Sequence, residues 1–332
     1  LYDAVENSDP LIERQSEATA AYLRTGDTSK LETREVSITG PDGGGVMVVP
    51  ALSDMIDKLL RDLNPIRSNA TIVTVESNSY EKLVSVGGTQ ALRKKERDAR
   101  NETNTGNIEK VTIPLYELSA YPSVTNEIIS SSRFQILEWL SEEVSEAIAT
   151  AENGEFINGT GATDGEAQGI LTYPTAATAD GVRAFGTLQE LTSGSAGSFE
   201  SDDLITVIYS LGQAYRANAK WYISTSAIEL ARKQKDANGN YLWTDSIAVG
   251  QPPTLAGYPV VEVAAMPAVA TDATPIIFGD MRKAYHIADN LRHRSLIVDR
   301  ITQPGWTKVF TAMMSGGGLV DSNALKLLTL SA

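Results

Sequence analysis

The residues best suited to chemistry in this sequence form a short basic run. Between the strand-like segments TIVTVESNSYEKLVSV and IEKVTIPLYEL, residues 87–107 read GGTQALRKKERDARNETNTGN. Within the eight residues from Arg93 to Arg100, five cations stand against Glu96 and Asp98, which gives a local charge of +3 in a chain of formal net charge −14. The cations are Arg93, Lys94, Lys95, Arg97 and Arg100. A positive cluster of this kind binds phosphate, lies in solvent at a hairpin tip, or contacts an acidic protein surface.

We favour the contact with an acidic protein surface. No aromatic side chain that would stack on bases lies between Gly87 and Asn107, which weakens the case for nucleic-acid binding. A hairpin normally closes in two to five residues, whereas this connection takes about twenty. For an acidic chain the most abundant acidic partner is another copy of itself. The sequence therefore predicts an extended basic hairpin that binds a neighbouring copy.

The remaining candidate residues do not form a catalytic or metal-binding pattern. His286 and His293 lie seven residues apart, on or beside adjoining predicted strands. They lack the third ligand pattern that a zinc site needs, and no G-x-S-x-G motif is present. The glycine-rich segment NGTGATDG lacks the Lys-Ser/Thr of a phosphate-binding loop. We therefore expect no catalytic residue, no cofactor and no metal, and we interpret both histidines as exposed or interface residues.

Composition limits the class of protein further. The chain has 332 residues, 42% hydrophobic and 21% charged, as is typical of a folded protein. It contains no cysteine, which excludes disulfides and thiolate sites. It has no apolar run of about eighteen residues and no signal-peptide pattern, so we expect no membrane partner. The acidic balance argues against a protein whose main task is to bind nucleic acid.

Periodic apolar positions predict two amphipathic helices in the first half of the chain. The first runs from Leu52 to Leu63 and ends at Asn64-Pro65. The second, a spine helix over about 132–156, would be roughly 40 Å long at 1.5 Å per residue. Its expected buried face is Leu137, Leu140, Val144, Ala147, Ile148 and Ala151. Its expected solvated residues are Glu138, Glu142, Glu143, Glu146 and Glu152.

The second half alternates helices and strands in an order that predicts an α+β fold rather than a doubly wound parallel sheet. A helix is expected over 201–217, with Leu204, Ile205, Ile208, Leu211 and Tyr215 on one side, and another in TSAIELARKQK. WYIS, GYPVVEV and PIIFGD are expected strands, and AYHIAD and SLIVDRIT are expected as two strands joined by a charged turn. WTKVFTAMM is a further strand, followed by GGG and a closing segment. Residues 1–45 show no sustained period and are expected to form an extended arm.

Several segments stand out when the chain is followed in order. They are GGGVMVVP and the helix after it, the long polar hairpin, YPSVTNEIISSS, FINGTGATDGEAQGIL, KWYISTSAIELARKQKDANGNYLW, LAGYPVVEV, IIFGDMRKAYHIAD and MMSGGGLVDSNALKLL. Together these segments resemble the major capsid proteins of tailed bacteriophages, whose Hong Kong 97-like fold is shared with gene transfer agent heads and encapsulins. The resemblance covers nearly the whole chain, and each of its motifs is structural.

The resemblance implies an arm, an extended loop, a peripheral domain built on the spine helix, and an axial domain. The expected bounds are 1–45 for the arm, 75–114 for the extended loop, 46–74, 115–160 and 281–312 for the peripheral domain, 161–280 for the axial domain, and 313–332 for a C-terminal segment that returns to the axial domain. The extended loop would lie over a neighbouring subunit, so its burial partner would be on another chain.

The resemblance also implies a function. The chain would self-assemble into hexamers and pentamers that form an icosahedral or related shell around double-stranded DNA, enclosed without sequence-specific binding. Expected partners are further copies of the chain, a portal protein and, as an additional candidate, a decoration protein. The expected location is the virion, after assembly in the cytoplasm of a host bacterium. The five cations of the hairpin, with Glu138, Glu142 and Glu146 of the spine helix, are the expected subunit contacts.

Two covalent events known in the family bear on this chain. Some members join subunits by an isopeptide bond from a loop lysine to an asparagine, assisted by a glutamate. Lys82, Lys94, Lys95 and Lys110 are loop candidates, but the matching strand WTKVFTAMM contains neither Asn nor Glu, so we expect no cross-link. Family members also lose an N-terminal segment to a protease, and the start at Leu1 fits a mature form of this kind.

Two alternatives stay open at this point. An encapsulin-like compartment shares the fold but packs a protein cargo, and the long arm and the start at Leu1 argue against it. A nucleic-acid-binding module that uses Arg93–Arg100 belongs to a different class, and its binding would depend steeply on salt.

Overall fold

The computed structural model describes residues 64–87, 106–127, 136–235, 253–299 and 302–332. Three expectations fall elsewhere. The arm over 1–45, the helix from Leu52 to Leu63 and the basic run from Arg93 to Arg100 lie outside the described residues.

Helices and strands are mixed along the described chain. The α-helices are α1 (Pro65–Asn69), α2 (Ile136–Asn158), α3 (Ser201–Ser210), α4 (Gln213–Arg216), α5 (Thr225–Lys233) and α6 (Met281–Ala284). Single-turn 3-10 helices are Gly161–Thr163, Ile170–Thr172 and Ser322–Ala324. The strands are β1 (Thr71–Val75), β2 (Ser79–Gly87), β3 (Asn107–Pro114), β4 (Tyr116–Ala120), β5 (Ser123–Thr125), β6 (Thr175–Ala176), β7 (Leu188–Ala196), β8 (Lys220–Ile223), β9 (Thr254–Leu255), β10 (Tyr258–Glu262), β11 (Ile276–Gly279), β12 (Tyr285–Asp299), β13 (Trp306–Leu319) and β14 (Leu325–Ser331). This is the α+β class that the sequence predicts.

The chain divides into two compact units. The larger comprises Pro65–Tyr116, Asn153–Asp289 and Gly316–Ala332, and the smaller comprises Leu1–Asn64, Glu117–Glu152 and Asn290–Ser315. The seven-segment division expected from the resemblance stays a prediction.

A seven-stranded mixed sheet forms the centre of the larger unit, in the order β6-β7-β14-β11-β8-β10-β9. β7 is parallel to β14 and β8 is parallel to β10, whereas β11 is antiparallel to both of its neighbours. Trp221 and Ile223 of β8 enter the core on one side, below α3 and α5, and Tyr222 enters the core on the other side, with α1, α6 and the end of α2. Because both faces are covered, the strands expected at WYIS, GYPVVEV and PIIFGD are nearly continuous apolar runs.

In the smaller unit, α2 packs on one face of a sheet. Val144, Ile148 and Ala149 of α2 contact Met313 of β13 together with two partly buried residues of β4, Leu118 and Ala120. β5 runs antiparallel to β13 in the same unit, with Thr125 opposite Trp306.

The buried face of α2 differs from the expected one. Ala147, expected inside, is exposed, and Glu152, expected in solvent, is fully buried with Ser145. The large side chains of Val144 and Ile148 determine which face of the helix is buried, and the residues beside them on that face are buried with them. Alanine offers too little apolar surface to compete with them.

The helix expected over 201–217 is interrupted. α3 ends at Ser210, and Leu211 adopts an extended conformation (φ −77°, ψ 132°) before the short α4. Gly212 is a poor helix former, and the Ser210 hydroxyl donates to the Val207 carbonyl at 2.7 Å, a local bond that competes with continuation of the helix. Ile205, expected on the buried side, is exposed.

The two strands expected at AYHIAD and SLIVDRIT are one strand, β12, which has 15 residues. The intervening residues 290–294 are Asn-Leu-Arg-His-Arg, with neither Gly nor Pro among them. Asn290, of a type that turns favour, is buried here at 1% exposure. Charge alone does not turn a chain, because turns need residues with special backbone preferences. The prediction of a charged turn was therefore wrong.

A buried ion pair joins α1 to β12 within the larger unit. Arg67 donates from Nη1 to Asp289 Oδ2 at 2.6 Å and from Nη2 to Oδ1 at 3.0 Å. Both side chains are buried. A bidentate pair of this kind fixes the relative orientation of the two elements as well as their distance.

A second buried cation lies on the central strand β14. Lys326 is fully buried and donates to Asp180 Oδ1 at 2.5 Å and to Gln189 Oε1 at 2.6 Å. Burial lowers the pKa of Lys326, while the Asp180 carboxylate opposes that shift. Arg183 donates to the same carboxylate oxygen, so two cations share one anion here.

The GGG sequence lies inside β13 rather than after it, and all three glycines face another part of the larger unit at close range. A Cβ at Gly316 would overlap the carbonyl oxygen of Pro114, one at Gly317 the hydroxyl of Tyr285, and one at Gly318 the side chain of Ile113. The three glycines therefore allow β13 to approach its neighbours more closely than residues with side chains could.

We expect Gly317→Ala to lower the free energy of unfolding by about 1–3 kcal/mol, because the added methyl group would displace Tyr285 from a close-packed site. Gly154→Ala in α2 is the matched control. Open space surrounds its Cβ position, so the same change should stabilise the helix by up to about 1 kcal/mol. Urea unfolding of the two variants measures both effects, and equal shifts would contradict the close approach.

Candidate assembly interface

Strands β2 and β3 form a two-stranded antiparallel sheet of their own, the described part of the expected extended loop. Leu83 lies opposite Lys110 and Ser85 opposite Ile108. In water, an isolated two-stranded hairpin is marginally stable at best. The hairpin therefore needs contacts beyond its own two strands.

One face of the hairpin lies against the rest of the larger unit, to which its two strands belong. The Tyr80 ring is stacked on the His286 ring with centroids 6.2 Å apart, and Lys82 Nζ lies 3.4 Å from His286 Nε2. On β3, the buried Ile113 contacts the strand at Gly318. We call these contacts the hairpin root.

The opposite face of the hairpin is open and partly apolar. Leu83 is 70% exposed and Ile108 is 67% exposed. The strand register places these two side chains diagonally on the same face. Beside them Lys110 forms an exposed ion pair with Glu81 at 2.6 Å. Large apolar side chains held out in this way indicate a protein contact.

His286 corrects the expectation that both histidines are exposed or at an interface. It is only 6% exposed, whereas His293 is exposed. Burial, together with the Lys82 cation, lowers the pKa of His286 to about 4, so the ring is neutral at pH 7. Lys82 then donates to Nε2, and the proton lies on Nδ1, which is buried without a hydrogen-bond partner.

The other residues predicted for subunit contacts are only partly described. All five hairpin cations, Arg93, Lys94, Lys95, Arg97 and Arg100, lie outside the described residues. Glu138 and Glu142 belong to α2, but their side chains are also outside the description, while Glu146 is exposed on that helix. Of the lysines considered for a cross-link, Lys82 lies in the hairpin root and Lys110 in the ion pair with Glu81.

Sequence reasoning missed the apolar character of the open hairpin face. The sequence contained an indication of it, because Leu83 and Ile108 are apolar residues among alternate strand positions that are otherwise polar. Without the register, the two could not be assigned to one face.

Within the described residues, no cluster of three or more His, Asp or Glu side chains has the arrangement of a metal site. The helices in the same residues include none with the length and apolar character of a membrane span.

Comparison with solved structures places this architecture among capsid proteins. The capsid of a native GTA particle is 32% identical, with a TM-score of 0.73 over 92% of this chain and 97% of that chain. A structure from Gordonia phage Cozz is 17% identical, with a TM-score of 0.56 over 80% and 86% of the two chains. The mature capsid of bacteriophage PhiM1 is 13% identical, with a TM-score of 0.55 over 93% and 98%. The two more distant matches bear on the fold alone.

These similarities define the Hong Kong 97-like capsid fold, as the resemblance implied. A model described as the phage capsid family matches residues 44–330. The chain belongs to the phage capsid family. A comparison with curated proteins found no match. The family match and the similarity to a GTA capsid do not favour the encapsulin-like alternative.

The buried histidine generates a prediction about acid stability. The pKa of His286 is about 4 in the folded protein against 6.5 for an ordinary histidine, so only the unfolded chain binds a proton between these values. The free energy of unfolding should therefore fall as the pH drops from about 6.5 to about 4. His286→Gln should remove this part of the slope.

Urea unfolding at several pH values in that window measures the slope. His293→Gln is the matched control, because His293 is exposed on the same strand, and it should leave the slope close to that of the wild type. An unchanged slope in His286→Gln would show that the buried histidine is not responsible.

Proposed function

We propose that this chain is the shell-forming major capsid protein of a tailed phage or a related particle, assembling as hexamers and pentamers. The observation that carries the proposal is the open face of the hairpin. Leu83 and Ile108 project from a two-stranded sheet, and no described residue of the same chain covers them. Membership of the phage capsid family and the 32% identity to a GTA capsid support the same function.

In this function the hairpin binds a neighbouring copy. Its apolar face supplies burial, and the cations from Arg93 to Arg100 pair with acidic surface on the neighbour. The exposed glutamates of α2, among them Glu143 and Glu146, are candidates for that surface, together with Glu138 and Glu142. The formal charge of −14 makes a second copy a suitable partner for a basic segment.

The further partners follow from the same proposal. The shell encloses double-stranded DNA without reading its sequence, contacts a portal protein, and is a candidate to bind a decoration protein. It is part of the virion and assembles in the host cytoplasm. The chain acts as a structural protein without catalysis, a role supported by its membership of the phage capsid family.

Assembly of the purified chain tests the proposal. We expect the wild type to form closed particles visible by electron microscopy. Leu83→Ser/Ile108→Ser should reduce the yield of particles at least about tenfold, because burial of the two side chains contributes roughly 1.5–3 kcal/mol each. Leu83→Ile/Ile108→Leu, which keeps the apolar area, is the matched control and should assemble normally.

Both variants should unfold like the wild type, because exposed positions contribute within about 0.5 kcal/mol to stability. Wild-type protein that stays monomeric at high concentration would overturn the proposal. Normal assembly of the double serine variant would show that the hairpin face is not a contact.

The same particles test the prediction that subunits are not covalently linked. After denaturation in SDS they should migrate as one band of the subunit mass, since the strand WTKVFTAMM offers no Asn or Glu. A ladder of higher bands would show that cross-links form through other residues.

A further inference from the structure

A second surface of the larger unit has the composition of a protein contact. Outside the hairpin, the described residues of this unit expose three large apolar side chains, Val182, Ile205 and Tyr209. Ile205 is 47% exposed and Tyr209 is 70% exposed, and both belong to α3. Asp202, also exposed, precedes them by one turn and two turns on the same helix face. We call Asp202, Ile205 and Tyr209 the α3 stripe.

The α3 stripe has no role in the core of its own unit. The opposite face of α3 supplies Leu204, Val207 and Ile208 to the core. The start of the helix is stabilised separately, since Glu200 and Asp203 form a capping box. The helix is therefore folded and anchored without Ile205 and Tyr209, whose apolar surface remains available.

Tyr209 is held in position by its own chain. The guanidinium of Arg216 lies 5.2 Å from the centroid of the Tyr209 ring, and Arg216 Nε donates to the Leu211 carbonyl at 2.7 Å. Arg216, in the short helix after the interruption of α3, thus contacts the Tyr209 ring, while most of the ring stays exposed. Tyrosine and arginine are the residues most often found at energetic centres of protein interfaces. A ring that is already ordered loses little conformational entropy on binding.

We infer that the α3 stripe is a contact between copies of this chain inside a capsomer, an inference that rests on the proposed function. A cyclic ring of identical subunits is closed by contacts that join two different surfaces of neighbouring copies. Asp202 makes the stripe acidic at one end, and Arg216 lies beside its other end over the Tyr209 ring, so a partner that offers both signs of charge fits it. A neighbouring copy does so, with 42 acidic and 28 basic residues in the chain.

Charge also disfavours nucleic acid as the occupant of the stripe. Glu200, Asp202 and Asp203 cluster at the start of α3, and this carboxylate cluster repels phosphate. The same carboxylates attract cationic side chains of a neighbouring subunit.

Polar replacement of the stripe tests the inference in the full-length chain. Ile205→Ser/Tyr209→Ser should lower the yield of closed particles at least about tenfold, as expected when interface centres are truncated. The unassembled subunit should keep its melting temperature, because both side chains are exposed. Ile205→Leu/Tyr209→Phe is the matched control, and we expect it to assemble like the wild type.

Thiol labelling gives an independent measurement. The chain contains no cysteine, so Thr206→Cys, which is exposed between the two apolar residues of the stripe, introduces a single reactive thiol and leaves the stripe intact. A maleimide should label it at least about tenfold more slowly in particles than in unassembled subunits, because the contact excludes the reagent.

The outcomes separate the inference from the function on which it rests. Wild-type protein that forms no particles would overturn the proposed function and the inference together. Wild-type particles combined with normal assembly of Ile205→Ser/Tyr209→Ser, or with equal labelling of Thr206→Cys in both states, would overturn the inference alone. Loss of assembly in the serine variant, rescue in the Leu/Phe variant and protection of the thiol would establish it.

Discussion

The close approach of the β13 glycines to their neighbours is the constraint on which the rest of the larger unit depends. Because Gly316 and Gly318 carry no side chains, the end of β3 at Ile113 and Pro114 lies directly against β13. Gly317 leaves room for the Tyr285 hydroxyl, which donates to the Gln168 carbonyl at 2.7 Å. The hairpin therefore leaves the larger unit from a rigid root. Its direction is fixed by packing at its base, although its outer face has nothing to pack against within the described chain.

Within the larger unit, the seven-stranded sheet and the hairpin bury their apolar side chains to different extents. Both faces of the seven-stranded sheet are covered within one chain, and the buried pair of Arg67 and Asp289 holds α1 in register with β12. The hairpin buries only one face and leaves Leu83 and Ile108 outside. The core of the sheet is thus buried within one chain, whereas the hairpin leaves apolar surface exposed. This arrangement suits a protein of the phage capsid family, because many identical weak contacts between neighbours act together.

The local sequence pattern was sufficient to predict elements whose buried residues are determined by their neighbours in sequence. It was insufficient where residues distant in sequence determine which side chain is buried. The spine helix and the strands β8, β10 and β11 follow from the apolar pattern of their own residues. Lys326, in contrast, is buried because Asp180 and Gln189 reach it from other parts of the chain. The exposure of Ile205 was also missed, because an apolar residue in a helix pattern is assigned to the core. The pattern does not distinguish an apolar residue in the core from one on the surface. The buried His286 likewise depends on Tyr80 and Lys82 of the hairpin.

The lengths of the outermost strands have a consequence for a protein that works at very high local concentration. The seven-stranded sheet ends in β6 and β9, each only two residues long, and beyond β6 the Gly194 N–H of β7 donates to the Asp203 carboxylate at 3.1 Å. The edges of the seven-stranded sheet therefore offer little unpaired backbone to another copy. This disfavours the addition of strands from other copies, which is the usual aggregation risk of open sheets. At this sheet, contacts between copies are therefore left to side chains.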